Sequence, residues 1–480
     1  MLLEAISQLS TLQLVVIIFS LVLAFAFEFV NGFHDAANAV ATVIYTRSMR
    51  PNVAVAWSDF FNFLGTMLGG IGVAFAIVHL LPLELLVKMN SGAGLVMVLS
   101  LLGAAILWNV GTWSLGIPAS SSHTLIGSII GVGIAHSLYT YGDALHGVNY
   151  GKVWDIGLSL LFSPLIGFFL SGALLILLKF LRPGKSLHQS PEKGARPPGW
   201  IRGTLILTCT GVSFAHGSND GQKGMGLVML ILVGLMPMQF ALNMGLGSGG
   251  IEVRQSAQEL HHVLVAQIPA QEEIGMRPVA LTEQEVEVDN LLRSVERVSR
   301  AIGSKDTFSE LPSDQRWHLR VSVYELDRQL SKFLKTTPGL LKEDRAALIS
   351  AKSRLRNTIE YVPTWVVLMV ALCLGIGTMI GWKRVVVTVG EKIGKAHLTY
   401  GQGATAELVA MTMIGLADIG GLPVSTTHVL SSGVAGTMWA NKSGVNRSTV
   451  RNILLAWVLT LPVSMLLSGG LFFLGRWLIA

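Results

Sequence analysis

FVNGFHDAANA at residues 29–39 returns in the second half of the chain as FAHGSNDGQKG at residues 214–224, sharing the pattern F-x-x-G-x-x-D inside an apolar run. An acid at such depth requires a partner, because a charge in hydrocarbon is costly and persists only when paired or functional. Asp35 and Asn38 stand three residues apart and share one helix face, as do Asp220 and Lys223. A single buried acid has a bland explanation, a carboxylate held by a neighbouring helix. Its recurrence with Asn219 beside Asp220 favours an ion-coupling group made of Asp35, Asn38, Asn219, Asp220 and Lys223.

A second pair of motifs lies further out. GIPASSSHTLIGSIIG at 116–131 aligns with GLPVSTTHVLSSGVAG at 421–436, sharing G-x-P-x-S-[ST]-[ST]-H. Two motifs in the same order in each half indicate duplication of a multi-helix unit. The proline opens a helix, and Ser120, Ser121, Ser122 and Thr124, with Ser425, Thr426 and Thr427, line its first turn. Helix starts present N–H groups without intrahelical acceptors, so a tetrahedral oxyanion can be held there. Ordinary N-capping would explain one such site. His123 and His428 occupy equal places and are read, with Glu407, as proton carriers or structural residues. Glu28, Asp59 and Asp418 are further acids in or beside apolar segments.

The surroundings are those of a membrane protein. Of 480 residues, 51% are hydrophobic and 13% charged, and the mean hydropathy is +0.57. Residues 11–30, 62–81, 156–178, 362–382 and 452–475 are each apolar enough for a span of the ~18 residues or more that a bilayer requires. No Lys or Arg precedes Arg47, so the first segment lacks the basic start of a signal peptide and is expected to remain as a span. Cys209 and Cys373 both lie in apolar runs, which leaves no disulfide framework and no Cys-based metal site. The net charge of +6 comes without a basic patch interleaved with aromatics, so nucleic acid is not an expected partner. No nucleophile–base pair or metal-ligand cluster suggests an enzyme. The duplication favours a carrier with alternating access over a channel.

Charge divides the chain. Residues 251–360 hold 16 of the 35 Lys and Arg and 17 of the 29 Asp and Glu, and predict a soluble insertion. Leu291, Leu292, Val295, Val298 and Ile302 recur there at helical spacing, as do Leu326, Leu330, Phe333 and Leu334. The expected organisation is a first membrane repeat at 1–181, a Pro- and Lys-rich cytoplasmic linker at 182–200, a second repeat at 201–250 and 361–480, and the helical insertion at 251–360. Positive loops at 47–50, 182–202, 383–395 and 442–451 are expected in the cytoplasm. The predicted fold is an all-α polytopic membrane protein. It has about 10–12 transmembrane helices in two inverted repeats with broken helices, which place a site for both charge signs near the midplane.

At these four motifs the chain resembles the PiT family of inorganic phosphate transporters, whose duplicated GANDVANA-like signature appears here as GFHDAANA and GSNDGQKG. It looks most like the bacterial low-affinity, proton-coupled branch. The resemblance implies a secondary active phosphate symporter of the inner membrane, without a resident cofactor, carrying metal–hydrogenphosphate complexes of Mg, Ca or Zn. A homodimer in the bilayer is also implied. His34 stands where the first signature usually has Asn, and Gln222 with Lys223 replaces the Ala-Asn of sodium-coupled members, so both weigh against sodium. If Lys223 pairs with Asp220, one of two related cation positions is filled by the protein itself. The alternative substrate is another tetrahedral oxyanion such as sulfate.

Overall fold

The computed structural model describes residues 10–82, 85, 92–191, 196–267 and 283–479 and, within them, all side chains but those at 12, 35–38, 185, 283, 284, 389 and 391. The chain forms two compact units, Met1–Leu235 with Val362–Ala480, and Met236–Tyr361. Among the described residues there is no strand, only an isolated bridge between Gly394 and Val445.

The first unit contains α1 (Thr11–Tyr45), α2 (Pro51–Leu68), α3 (Gly72–Val78), α4 (Gly92–Ser114), α5 (Ser121–Tyr141), α6 (Tyr150–Leu181) and α7 (Gly199–Leu235). After the second unit, which holds α8 to α11, it resumes with α12 (Thr364–Gly381), α13 (Tyr400–Ile419), α14 (Thr426–Ala440) and α15 (Arg447–Ile479). Six of the described helices, α1, α4, α5, α6, α12 and α15, are long and apolar enough to cross a membrane. The expected span at 62–81 is instead a broken one: α2 and α3 meet at 73° across Gly69 and Gly70, and together make a seventh candidate. The sequence reading expects about 10–12 spans; among the described residues α7, α13 and α14, which carry the second set of motifs, are too polar or too short to qualify on composition. The polar groups of the α7 motif face protein; every residue of α7 from Ala215 to Leu235 is buried.

Glycines show how the two repeats interlock. A Cβ on Gly32 of α1 would lie 2.4 Å from the Leu374 carbonyl of α12, and one on Gly377 would lie 2.0 Å from the Phe29 carbonyl. The same contact is made in the other copy, where Gly217 of α7 meets the Asn62 carbonyl of α2 and Gly65 meets that of Phe214. Gly131 of α5 lies against Met465 of α15, and its counterpart Gly436 of α14 against Phe168 of α6. Each signature helix therefore packs on a helix of the opposite repeat, at backbone-to-backbone distance that only glycine permits. Neither half can bury its own motifs alone.

The positive loops gather at one end of this unit. Arg202 donates to the Ser48 carbonyl, Ser190 to that of His397, and the amides of Lys395 and Asn446 join the 393–395 and 444–446 segments. The loop before α5 meets this end through Arg384 and Thr388, which donate to the carbonyls of Ser114 and Gly116. Its counterpart before α14 meets Gly72 through Gly421. Gly72 lies beyond the far end of α2, whose 18 residues span roughly 27 Å from that positive end. The two tips thus enter from opposite ends, as inverted repeats require.

The second unit begins at Met236, earlier than the expected 251, because the Asn243 amide donates to the Thr358 carbonyl and closes the entering segment on the leaving one. It consists of α8 (Gly249–Val265), α9 (Glu283–Ile302), α10 (Ser313–Thr336) and α11 (Lys342–Ile359), with α8 and α10 each packed on both α9 and α11. Leu291, Val295, Val298 and Ile302 face inward from α9, and Leu326, Leu330 and Phe333 from α10, as their spacing predicts; Leu292 is only half-buried. Arg320 is buried and donates to the carbonyls of Ala241 and Ile359, and burial lowers its pKa to about 10.

Candidate functional site

Both signature aspartates lie inside continuous helices, α1 and α7. The chain is interrupted instead at the two tips, 115–120 and 420–425, where glycines at positive φ, Gly116 at 65° and Gly421 at 62°, turn the backbone into Ser120 and Ser425. Each serine caps its helix, accepting 3.2 Å hydrogen bonds from the amides of His123 and His428 respectively. The N-termini of α5 and α14 meet across the unit, with Ser122 Oγ donating to the Val424 carbonyl at 3.0 Å. Two helix dipoles therefore direct their positive ends toward one region.

Lys223 of α7 reaches into that region and is 2% exposed. Its ammonium has three donors. It donates to Asp220 Oδ1 at 2.5 Å, to Ser122 Oγ at 2.6 Å and to the Val424 carbonyl at 2.6 Å, tying its own helix to both tips. The other oxygen of Asp220 lies 3.4 Å from His216 Nε2 and accepts from Thr426 Oγ1 at 3.4 Å. His216 Nδ1 is 3.0 Å from Asn62 Oδ1. A buried charge pair survives when its remaining bonding capacity is satisfied, and here both partners are.

The rest of the α7 motif grips the second tip. Asn219 donates to the Leu422 carbonyl at 3.2 Å and accepts from the Val424 amide at 3.4 Å. Ser218 and Gln222 both donate to Asp418, while Gln222 Oε1 accepts from the Val73 amide at 2.9 Å and so joins the bend before α3. The two tip histidines touch, their ring centroids 4.6 Å apart. His428 also stacks at 4.1 Å on Trp457, whose indole N–H donates to the Pro118 carbonyl of the other tip.

The expected site residues thus fall into groups. Asn219, Asp220, Lys223, Ser122 and Thr426 come together, with Ser120, Ser425, His123 and His428 at the adjoining helix starts. Ser121 and Thr427 are buried in the same first turns. Thr124 turns back to donate to the Ser120 carbonyl of its own helix at 3.0 Å. Glu407 belongs elsewhere, between Thr42 and Thr208. The side chains of Asp35 and Asn38 lie outside the described ones. His34, beside them, places Nε2 2.8 Å from the Asn109 carbonyl. Sequence reasoning missed His216, Asn62 and Trp457. His216 precedes Asp220 by one helical turn and was legible on that ground; Asn62 and Trp457 carry no local signal.

A bundle that turns its charged groups inward onto the meeting point of two opposed helix tips is a membrane carrier, not an enzyme. The chain belongs to the phosphate transporter family, whose model matches residues 31–468. It is 46% identical to the low-affinity inorganic phosphate transporter PitB of Escherichia coli, over 96% of this chain and 97% of that one. It is 42% identical to a low-affinity inorganic phosphate transporter of Buchnera aphidicola, over 94% and 95%. A solved chain described as the sodium-dependent phosphate transporter has a similar fold, with a TM-score of 0.54 at 20% identity, covering 96% of this chain and 99% of that one. The protein is a multi-pass protein of the bacterial inner membrane.

Proposed function

We propose that this chain is a low-affinity symporter that couples inward movement of inorganic phosphate to protons and takes phosphate as a neutral hydrogenphosphate complex of Mg, Ca or Zn. Its bacterial relatives, named as low-affinity phosphate transporters, support the substrate. The observation that carries the coupling is the Lys223–Asp220 pair at 2.5 Å. An ammonium stands where a transported cation would meet the aspartate of this repeat, and like charges would exclude sodium from it. The pair is neutral as a whole. What remains to hold the cargo is the partial positive charge of two helix starts and their hydroxyls, which suits the oxygens of phosphate, while the metal of the complex is part of the proposal on the family resemblance alone.

In this reading the oxyanion sits at the first turns of α5 and α14, contacted by the backbone and hydroxyls of Ser120 to Ser122 and Ser425 to Thr427. Asp35 and Asn38 contribute from α1. Lys223 orients both tips, and Asn219 with Gln222 passes any movement of the second tip to α7 and the bend before α3. Rocking of the interlocked repeats then exposes the site to either side in turn. A homodimer is part of the proposal and is supported by the family resemblance alone.

The test is uptake of labelled phosphate into proteoliposomes under an imposed pH gradient, without sodium, with Mg²⁺ present or omitted. Accumulation driven by the gradient and raised by Mg²⁺ is expected. Uptake that needs sodium, or that sulfate replaces, overturns the assignment.

A further inference from the structure

Glu407 of α13 is a carboxyl that the site above does not use. It is fully buried, and its two oxygens are held by hydroxyls from different helices: Thr42 of α1 donates to Oε1 and Thr208 of α7 to Oε2. It contrasts with Asp220, which is committed to an ammonium and a histidine. Among the described residues, the titratable group in electrostatic contact with Glu407 is the Cys209 thiol of α7. The residue is also not duplicated, since the alignment of the two tips sets Leu102 opposite it.

The place matters more than the burial. Thr42 lies seven residues beyond Asp35 on α1, about two turns along the same face. Thr208 is on α7, the helix of Asp220 and Lys223. Glu407 therefore joins the two signature helices through a third, and protonation converts one of its oxygens from acceptor to donor. Loading a proton alters the tie between the helices that bear the two motifs. We propose that Glu407 is the group that carries the coupling proton, taken from the outer aqueous phase and released to the inner one, one per cycle. The proposal rests on the proton-symport reading and supplies its carrier, a role that Asp220 is too firmly paired to fill.

The experiment uses the full chain in proteoliposomes. Wild type comes first: if it shows no phosphate uptake driven by a pH gradient, the symport reading fails irrespective of Glu407. In Glu407→Gln, a permanently neutral isostere, gradient-driven accumulation should fall at least about tenfold while phosphate–phosphate exchange at equal pH keeps no less than about a third of its rate. Accumulation at the wild-type level overturns the proposal. Because this variant could lose exchange by misfolding, Thr42→Ala with Thr208→Ala is measured in every case. It leaves the carboxyl and removes the donors that stabilise its ionised form, so the pH of half-maximal uptake should rise by about one unit. An unmoved midpoint overturns the proposal whatever Glu407→Gln does.

Discussion

Substituting asparagine for Asp220 takes away the counter-charge of an ammonium that has 2% exposure and no solvent to turn to. Lys223 would keep its bonds to Ser122 Oγ and the Val424 carbonyl, both at 2.6 Å, but these are neutral acceptors. Removing one member of a buried pair costs about 3–5 kcal/mol, most of it the penalty of the charge left behind. Substituting methionine for Lys223 should cost a similar amount by stranding the carboxylate. The double variant should not cost the sum, since exchanging a whole buried pair for groups of similar volume is close to neutral, within about 1–2 kcal/mol once the lost bonds to the tips are included. The four proteins form a cycle with an expected coupling energy of about 3 kcal/mol or more, well above the ~0.5 kcal/mol within which independent sites add. Unfolding titrations in mixed detergent micelles with SDS would measure it. Additive losses would show that the 2.5 Å pair is not an energetic unit, and with it the argument that Lys223 closes this position to cations would fall.

Other variants test separate parts of the reasoning. Lys223→Asn restores at the second motif the residue type of the first, and should move phosphate uptake toward sodium dependence; an unchanged cation preference refutes the coupling argument. Gly217→Ala drives a methyl into the Asn62 carbonyl, 2.0 Å from the ideal Cβ, and overpacking of this kind costs about 1–3 kcal/mol or more, seen as a loss of folded protein in detergent. Gly157→Ala meets nothing within 4 Å and serves as the unaffected comparison. Ser120→Ala with Ser425→Ala deletes two N-caps, about 1 kcal/mol each. It should raise the phosphate KM, and an unchanged KM would place the cargo away from the tips. Arg320→Leu strands two carbonyls at about 1–3 kcal/mol apiece and should quicken limited proteolysis within 236–361, leaving phosphate uptake as the control.

The sequence by itself determined the membrane class, the duplication and the family, because hydropathy is a local property and a repeated motif needs no structure to be seen. It also placed Lys223 one turn from Asp220, and helical periodicity alone made that pair legible. The limits of the insertion needed the structure, since residues 236–250 are not charged and belong to the second unit only through bonds such as that of Asn243 to Thr358. The break at Gly69 and Gly70 was equally hidden within an apolar run. Only the tertiary structure decided that each signature helix packs on the opposite repeat. That swap is recorded in glycine-to-carbonyl contacts between residues hundreds of positions apart. It decided too that the aspartates lie in continuous helices while the tips carry the breaks, and that Glu407 stands apart from the histidines, tied to both signature helices. Burial and long-range hydrogen bonding depend on which faces meet, and no window of sequence contains that information.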